Sequence, residues 1–390
     1  MRRLRNSILA FLAFAMSSSF FLPVDTIHVR IFTHLKVNAL TLGIYTGSYR
    51  LQCDGKSLPL FRQGLPLDIQ YRNDSMDLMQ DGNLLATARY VKLFGAPGSE
   101  LKVKLNNPDR KMRNYQENLS FEIFESGIRV INEIELDNYI AGVTEAEAGS
   151  RSALEFYKIQ SVLARTFALA HINKHVTEGF SLCDQVHCQA YFGRPRDMSI
   201  YKAIDLTRDQ VVVDDNLNLI VAAFHSNSGG QTANSEDVWG SKTPYLRSIV
   251  DSFSMNMPNA RWERKILVED WLSYLKIKHR FPVDDASSKK AALNFSQDTR
   301  KIYLEANNVR VPLKNVRVDF QLKSTFFDIR QINKDTILFS GHGYGHGLGM
   351  PQEGAMRMVK LGYNYRQVLK FYYQEVQLID LHKLNFFKDE

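Results

Sequence analysis

The stretch A-L-E-F-Y-K-I-Q-S-V-L-A-R-T-F-A-L-A-H-I-N, Ala153 to Asn173, decides the fold class. Phe156, Ile159, Leu163, Phe167 and Ala170 recur at helical spacing, which predicts one long helix with an apolar face turned to a core. Lys158, Ser161 and Arg165 fall on another face. Ser150 or Ser152 is placed to cap its start, with Glu155 in the first turn. An arginine inside V-L-A-R-T-F-A-L-A is expected to be buried against a partner or to line a cleft.

Around that helix the pattern is mainly strand. Residues 27–110 carry short runs of β-branched and aromatic residues between polar breaks, as in I-H-V-R-I-F, A-L-T-L-G-I-Y and Y-R-L-Q. A basic, Asn-rich loop is expected from Leu105 to Asn118, with strands resuming at L-S-F-E-I-F and I-R-V-I-N-E-I-E-L. Downstream, Q-V-V-V-D and L-I-V-A-A-F-H read as strands, 260–290 as helix around W-L-S-Y-L-K, and 300–330 as alternating strands. Two short helices, Gln352–Leu361 and Tyr365–Tyr373, close the chain, with Gly362 a natural helix stop. The class is α+β: a mixed, β-rich core, one long helix, and an N-terminal β-rich region over 27–110. A main domain is expected over 111–380, with 260–330 as an inserted helix and strand subregion.

Composition bounds the function. The chain has 390 residues, 44% of them apolar and 23% charged, ample for a sizeable core. The net charge is +7, and Arg2, Arg3 and Arg5 supply three of those charges. A mild, dispersed surplus suits an acidic polymer or an anionic surface and gives no case for nucleic acid. M-R-R-L-R-N-S followed by I-L-A-F-L-A-F-A-M and S-S-S reads as an export signal over residues 1–25, cleaved or kept as an anchor. Membrane contact is expected only through that segment, and the location is exported, in the periplasm or cell envelope. With only Cys53, Cys183 and Cys188, the chain is no disulfide scaffold.

Four constellations could carry chemistry. In L-D-N-Y-I-A-G-V-T-E-A-E-A-G, Leu136 to Gly149, Glu145 and Glu147 stand just before the expected helix start. Carboxylates there can simply complement a helix dipole; as a proton donor, one would need an apolar wall to raise its pKa. In S-L-C-D-Q-V-H-C-Q-A-Y-F-G, Cys183, His187 and Cys188 supply three ligands, and His175 or His171 could add a fourth for a closed, structural zinc. A Cys183–Cys188 disulfide is the rival in an oxidising compartment. A-F-H-S-N-S-G-G-Q-T-A-N-S-E-D-V-W-G, Ala222 to Gly240, holds His225, Ser226 and Ser228 in a small-residue loop, with Trp239 able to stack on sugar. In S-G-H-G-Y-G-H-G-L-G-M-P-Q-E-G-A, Ser340 to Ala355, Gly341, Gly343, Gly345, Gly347 and Gly349 alternate with His342, Tyr344, His346, Leu348 and Met350. In an extended chain that alternation leaves one face as bare backbone, open to close approach by a glycan or another segment; a packed hairpin with two satisfied histidines is the plainer reading.

Taken in order, L-D-N-Y-I-A-G-V, K-I-Q-S-V-L-A-R-T, C-Q-A-Y-F-G, F-H-S-N-S-G-G-Q-T, V-W-G-S-K-T-P-Y-L, L-K-S-T-F-F-D-I, G-H-G-Y-G-H-G-L-G-M-P-Q-E-G-A and the closing F-Y-Y resemble the SpoIID/LytB family of bacterial cell-wall proteins, over about residues 110–380. The resemblance implies a lytic transglycosylase acting on peptidoglycan glycan strands stripped of stem peptides, with the long helix at the active-site groove. It implies a catalytic glutamate in G-V-x-x-x-E, eleven residues before the helix lysine. Both counts, from Gly142 and from Lys158, land on Glu147 and miss Glu145. Where the family usually has Met-Pro next, this chain has Ala148-Gly149. Lys158, Gln160, Arg165, Ser226, His342, Tyr344, His346 and Gln352 are the candidates for binding substrate. No cofactor is required for such chemistry beyond the possible structural zinc. Some LytB-type members are described as enhancers of a separate N-acetylmuramoyl-L-alanine amidase, so a non-catalytic wall-binding role with an amidase partner is the alternative. A zinc amidase using His342, His346 and the Cys/His cluster is a third reading.

Overall fold

The computed structural model describes residues 26–58 and 63–381, so the expected export signal over 1–25 lies outside the described residues. The fold starts with Thr26–Ile31, in which Ile27, Val29 and Ile31 turn to the core and the residues between them turn outward. It pairs antiparallel with Gly127–Glu135 and, on its other edge, parallel with Leu182–Cys183. Asn118–Phe124, Tyr90–Gly95, Tyr49–Cys53 and Lys56–Ser57 complete a seven-stranded sheet. A second, six-stranded sheet contains Ala39–Thr46, Leu67–Arg72 and Glu100–Asn107. Leu42, Leu93, Val103 and Phe121, drawn from both sheets, lie in one apolar core. Strands before and after residue 110 therefore share a sheet and a core. The loop expected over Leu105–Asn118 is mostly strand: Glu100–Asn107 pairs with Arg113–Gln116, and only 108–112 connects them.

Two helices follow directly. Helix α1 is Leu136–Ala148 and helix α2 is Leu154–Ala170. Helix α2 confirms the long helix of the sequence reading, and it is buried on most of its circumference: Phe156, Ile159, Val162, Leu163, Ala168 and Leu169 are all in the core. Helix α1 corrects that reading. Glu145 and Glu147 belong to its last turn and precede no helix start. Tyr139, Ile140 and Val143 are buried, so this segment earns its own helix by packing. The dipole argument consequently reverses, because the C-terminal end of a helix disfavours a carboxylate. Neither Ser150 nor Ser152 caps α2; the Ser152 hydroxyl donates to the Ala148 carbonyl at 2.9 Å.

Residues 262–339 contribute a separate apolar cluster around Trp271, Leu275, Phe281, Val316, Phe327 and Phe339. Arg261–Leu267, Thr336–His342, Phe327–Gln331 and Asn294–Phe295 form its sheet. Here too some expectations change. The 260–290 segment opens as a strand before the helix Val268–His279, and V-R-V-D lies in the helix Leu313–Asp319. Of L-I-V-A-A-F-H, only Phe224–His225 is strand, parallel to Met350–Pro351. The chain closes with helices Gln352–Lys360 and Tyr365–Tyr372, the second started by a reciprocal Asn364–Gln367 cap.

The glycine-rich segment is not an extended ribbon. Its strand ends at His342, and Gly343, Gly345, Gly347 and Gly349 all have positive φ, at 75°, 120°, 88° and 63°. The backbone winds, so the five alternating side chains do not share one face.

Gly142 sets how closely α1 seats on the segment 188–193. A Cβ there would lie 2.4 Å from the Gly193 carbonyl and 2.6 Å from the Tyr191 ring. In an exposed helix Gly→Ala is worth about 1 kcal/mol in stability. Here the sign should invert: Gly142→Ala is expected to destabilise by about 1–3 kcal/mol through overpacking, read as a lowered denaturation midpoint.

Candidate functional site

The two carboxylates of α1 have different surroundings. Glu145 accepts the backbone N–H groups of Arg196 and Asp197 at 2.9 and 3.0 Å. Asp197 in turn accepts the Ser199 hydroxyl at 2.6 Å, the Arg151 N–H at 3.0 Å and the Tyr157 hydroxyl at 2.8 Å, and these bonds hold its carboxyl well below the usual range. Glu145 is thus a latch for the loop that follows Gly193. Glu147 has no such set of donors. Burial pushes its carboxyl up, and the Ala190 backbone amide offsets this only in part. Gly149, at φ 70°, ends α1 directly after it, so Ala148-Gly149 keeps Glu147 in the final turn.

Glu147 also meets the glycine-rich segment. Gln352, at the start of its helix, donates from Nε2 to the Glu147 carbonyl at 3.1 Å. The adjacent Glu353 ties three loops together. Its carboxylate accepts Asn227 Nδ2 at 2.6 Å and Asn259 Nδ2 at 2.8 Å, and its N–H donates to the Ser226 carbonyl at 3.0 Å. Asp251, fully buried, accepts the hydroxyls of Ser228 at 2.7 Å and Tyr372 at 3.1 Å, and also that of Ser254. The bond to Asp251 makes Ser228 structural.

Among the other expected site residues, Ser226 stands beside Asn259, whose Nδ2 donates to its hydroxyl at 3.3 Å. His342 is half-buried against Phe326, and Tyr344 is 44% exposed. His346 donates from Nε2 to the Phe224 carbonyl at 2.9 Å and accepts the Leu348 N–H at Nδ1 at 3.0 Å. Both its nitrogens are engaged, so it is no metal ligand. Its ring lies 6.0 Å from that of Trp239, which is 47% exposed. The remaining three lie on α2. Arg165, 1% exposed, donates to Asp137 at 2.9 Å and to the Thr207 carbonyl at 2.8 Å, pinning α2 to the start of α1. Gln160 is equally buried, and Lys158 pairs with Glu155 at 2.5 Å. An arginine among apolar residues signals burial, and here the buried outcome holds. A cavity of about 440 Å³ lined by Val212, Arg366, Lys370 and Leu378 includes none of the expected site residues.

His175, Cys183, His187 and Cys188 converge, their ligand atoms all within 4.8 Å of one another. The sulfur-to-nitrogen separations are 3.5 Å for Cys188–His175 and 3.7 Å for both Cys183–His187 and Cys188–His187. Those are the edges expected of a tetrahedron with bonds of about 2.0–2.3 Å. His175 Nδ1 lies 2.5 Å from the Glu178 carboxylate, which turns Nε2 toward the sulfurs. His171 is outside the group; its Nδ1 meets the Phe167 carbonyl. The two thiols are not joined. This loop runs on through Gln189, whose side chain bridges the Tyr139 hydroxyl and the Ala164 carbonyl, to the Ala190 amide at Glu147.

Residues that the motifs did not single out complete the frame: Asp251, Asn259, Glu353 and Arg300. Arg300 donates to the carbonyls of Gln231 at 2.6 Å and Ser228 at 2.7 Å. Glu353 stood inside a quoted motif, whereas Arg300 and Asp251 stand in no recognisable pattern.

Burial, with Arg317 and Arg300 nearby, pulls His346 down to about 4, and burial with His346 and Arg300 pulls His225 well below its ordinary value. The unfolded imidazoles would bind protons from about pH 6.5, the folded ones only far lower. Stability from these histidines is therefore complete above about pH 6.5 and lost as pH falls toward about 4. Glu147, raised, acts in the opposite sense. Melting midpoints recorded from pH 8 to 4 are expected to fall on acidification, and His346→Gln should flatten part of that fall.

Comparison with known proteins gives three kinds of relative. Residues 124–213, which hold α1, α2 and the Cys/His loop, match the family model SpoIID, stage II sporulation protein. Stage II sporulation protein D of Bacillus subtilis is 25% identical over 276 residues, 67% of this chain and 79% of that protein. An uncharacterised protein of Brachyspira hyodysenteriae is 28% identical over 285 residues, 70% of this chain and 74% of the relative. A protein of Bacillus subtilis named amidase enhancer is 28% identical over 292 residues, 60% of this chain but only 39% of that longer protein.

Proposed function

We propose that this chain is a peptidoglycan lytic transglycosylase of the SpoIID type, with Glu147 as its single acid and base, a reading supported by the match of residues 124–213 to the SpoIID model and by the relatives named stage II sporulation protein D. The observation that carries the reading is the contrast within one helix turn. Glu145 is consumed by two backbone amides, while Glu147 is half-buried, raised in pKa by that burial and in contact with the start of the Gln352 helix. A raised carboxyl is protonated nearer neutral pH and can give that proton to a glycosidic oxygen.

The step proposed is an intramolecular transfer between N-acetylmuramic acid and N-acetylglucosamine. The Glu147 proton passes to the bridging oxygen as the bond from muramic C1 breaks, releasing the N-acetylglucosamine hydroxyl. The Glu147 carboxylate then takes the proton of the muramic C6 hydroxyl while that oxygen closes on C1. The product carries a 1,6-anhydro ring, and Glu147 ends protonated, ready for the next cut. One carboxyl suffices, so no second acid is needed opposite it. Exposed Tyr344 and Trp239 supply faces for sugar stacking. The substrate class is peptide-free glycan, which the chain would meet in the periplasm or cell envelope. Among the described residues no helix is long and apolar enough to cross a membrane.

Glu147→Gln is expected to lower formation of anhydro-ended products from peptide-free strands by about a hundredfold or more, measured by mass spectrometry. Glu145→Gln should keep the chemistry and lower the melting midpoint. The opposite split would move the acid two residues upstream. The relative named amidase enhancer supports a second reading, in which the chain holds glycan for a partner N-acetylmuramoyl-L-alanine amidase without cutting it. Glycan binding with no anhydro product, together with a faster amidase, would favour that reading.

The Cys/His loop is proposed to hold one structural zinc through Cys183, Cys188, His187 and His175. Two sulfurs and two imidazoles at tetrahedral spacing fit that ion, and four protein ligands leave no open position for chemistry. Bound metal would fix the loop that presents the Ala190 amide to Glu147. Metal analysis of protein purified without chelator should find close to one zinc per chain, and chelation should lower the melting midpoint. Metal-free protein with a mass lower by two hydrogens would mean a Cys183–Cys188 disulfide instead.

A further inference from the structure

The segment 261–342 lies outside the residues matched by the family model, and it sends two arginines toward the glycine-rich segment. Arg300 passes beneath Gly347, so close that a Cβ on that glycine would lie 3.2 Å from its guanidinium carbon. Its donors meet only neutral acceptors: the carbonyls of Gln231 and Ser228 and, at 3.4 Å, the Thr325 hydroxyl. Arg317, in the last turn of Leu313–Asp319, is half-buried, and no hydrogen bond is made by its guanidinium among the described residues. Lys323, exposed on the next turn, has its Nζ 5.4 Å from the centre of the Tyr344 ring, and its carbonyl accepts the Gly345 N–H at 2.9 Å.

Among the described residues neither arginine has a carboxylate within ion-pair distance. Burial first, and then the charge of Arg317, brings Arg300 down to about 10, which still leaves it charged at neutral pH, and burial lowers Arg317 as well. The same two charges help keep His225 and His346 neutral. Buried charge without a counter-charge is costly, and a folded protein normally pairs it. Among the described residues no pairing carboxylate stands at either arginine, and Arg317 with Lys323 faces the exposed Tyr344, where a ligand can arrive.

We propose that Arg317 and Lys323, above the buried charge of Arg300, form a subsite for the free lactyl carboxylate of a peptide-free muramic acid. This rests on the glycan reading given above and deepens it. In peptide-bearing strands that carboxyl is an amide to the stem peptide and carries no charge. Once the peptide is gone it is an anion on every muramic acid. Selectivity for stripped strands then comes from an attractive contact, and steric exclusion of peptides is not required. Guanidinium and carboxylate match in geometry as well as in charge.

The test uses peptide-free glycan strands and the same strands with their carboxyls converted to methylamides, bound to the mature chain at one fixed salt concentration. The wild type should bind the native strands about tenfold more tightly than the methylamide, the scale of one charge-assisted contact. Arg317→Gln should lower affinity for native strands to the methylamide level and leave methylamide binding unchanged, and Arg317→Lys should recover part of the difference. Lys323→Gln, on an exposed turn, repeats the test should Arg317→Gln lower the melting midpoint. Equal wild-type binding of both strands, or equal weakening of both by Arg317→Gln, overturns the subsite while leaving the transglycosylase reading in place. Wild-type protein that binds neither strand overturns the glycan reading itself, and the subsite with it.

Discussion

The close seat of α1 on the segment 188–193 is the constraint from which the rest follows. Gly142 has no Cβ, and the Gly193 carbonyl and Tyr191 ring occupy the space one would need. That contact brings the last turn of α1 onto the Cys/His loop and sets Glu147 beside the Ala190 amide. Everything that distinguishes Glu147 from Glu145 depends on it. One carboxyl is turned to the Arg196 and Asp197 amides, the other is partly desolvated with the Ala190 amide as its one offsetting donor. A helix shifted outward by the width of a methyl group would re-solvate Glu147 and remove the reason for its raised pKa.

Around this seat the chain uses buried polar bonds to hold loops that have little regular structure. Arg165 fastens α2 to Asp137 and to the Thr207 and Gln210 carbonyls. Glu353 and Asp251 gather the loops at 226–228 and 252–259. Arg300 reaches across from the second apolar cluster to the loop of Ser228 and Gln231. The glycine-rich segment is threaded between these anchors with its glycines in left-handed conformations, and Gly349 leaves only 2.0 Å between an added Cβ and the Ala223 carbonyl. Its glycines therefore serve protein packing at least as much as access for a ligand.

The sequence announced some of this more clearly than the rest. Helix α2 was legible because its apolar residues repeat over seventeen positions. The Cys/His group was legible because three ligands stand within six residues, though His175 was one of two choices for the fourth. Glu147 was marked by its spacing in a family motif, not by its setting: the local pattern suggested a helix start where a helix ends. That error has a physical cause, since Gly142 lowers helix propensity and only tertiary contact with Tyr191 explains why α1 runs through it. The alternating glycine run failed for a related reason. Alternation implies a strand only if φ stays negative, and composition does not report the sign of φ. Arg300 and Arg317 were invisible because their meaning lies in what they lack, a counter-charge, and only three dimensions reveal that. Lys158, Gln160 and Arg165 occupy a polar helix face by spacing, yet Gln160 and Arg165 are covered by protein and only Lys158 keeps partial exposure.

The central claim is that burial raises the Glu147 carboxyl above the ordinary range. A carbon-13 NMR titration of the glutamate carboxyls, with the Glu147 resonance assigned by its loss in Glu147→Gln, measures this directly. The account requires Glu147 to titrate clearly above the ordinary glutamate value of about 4.3. A Glu147 that titrates at or below that ordinary value would contradict it.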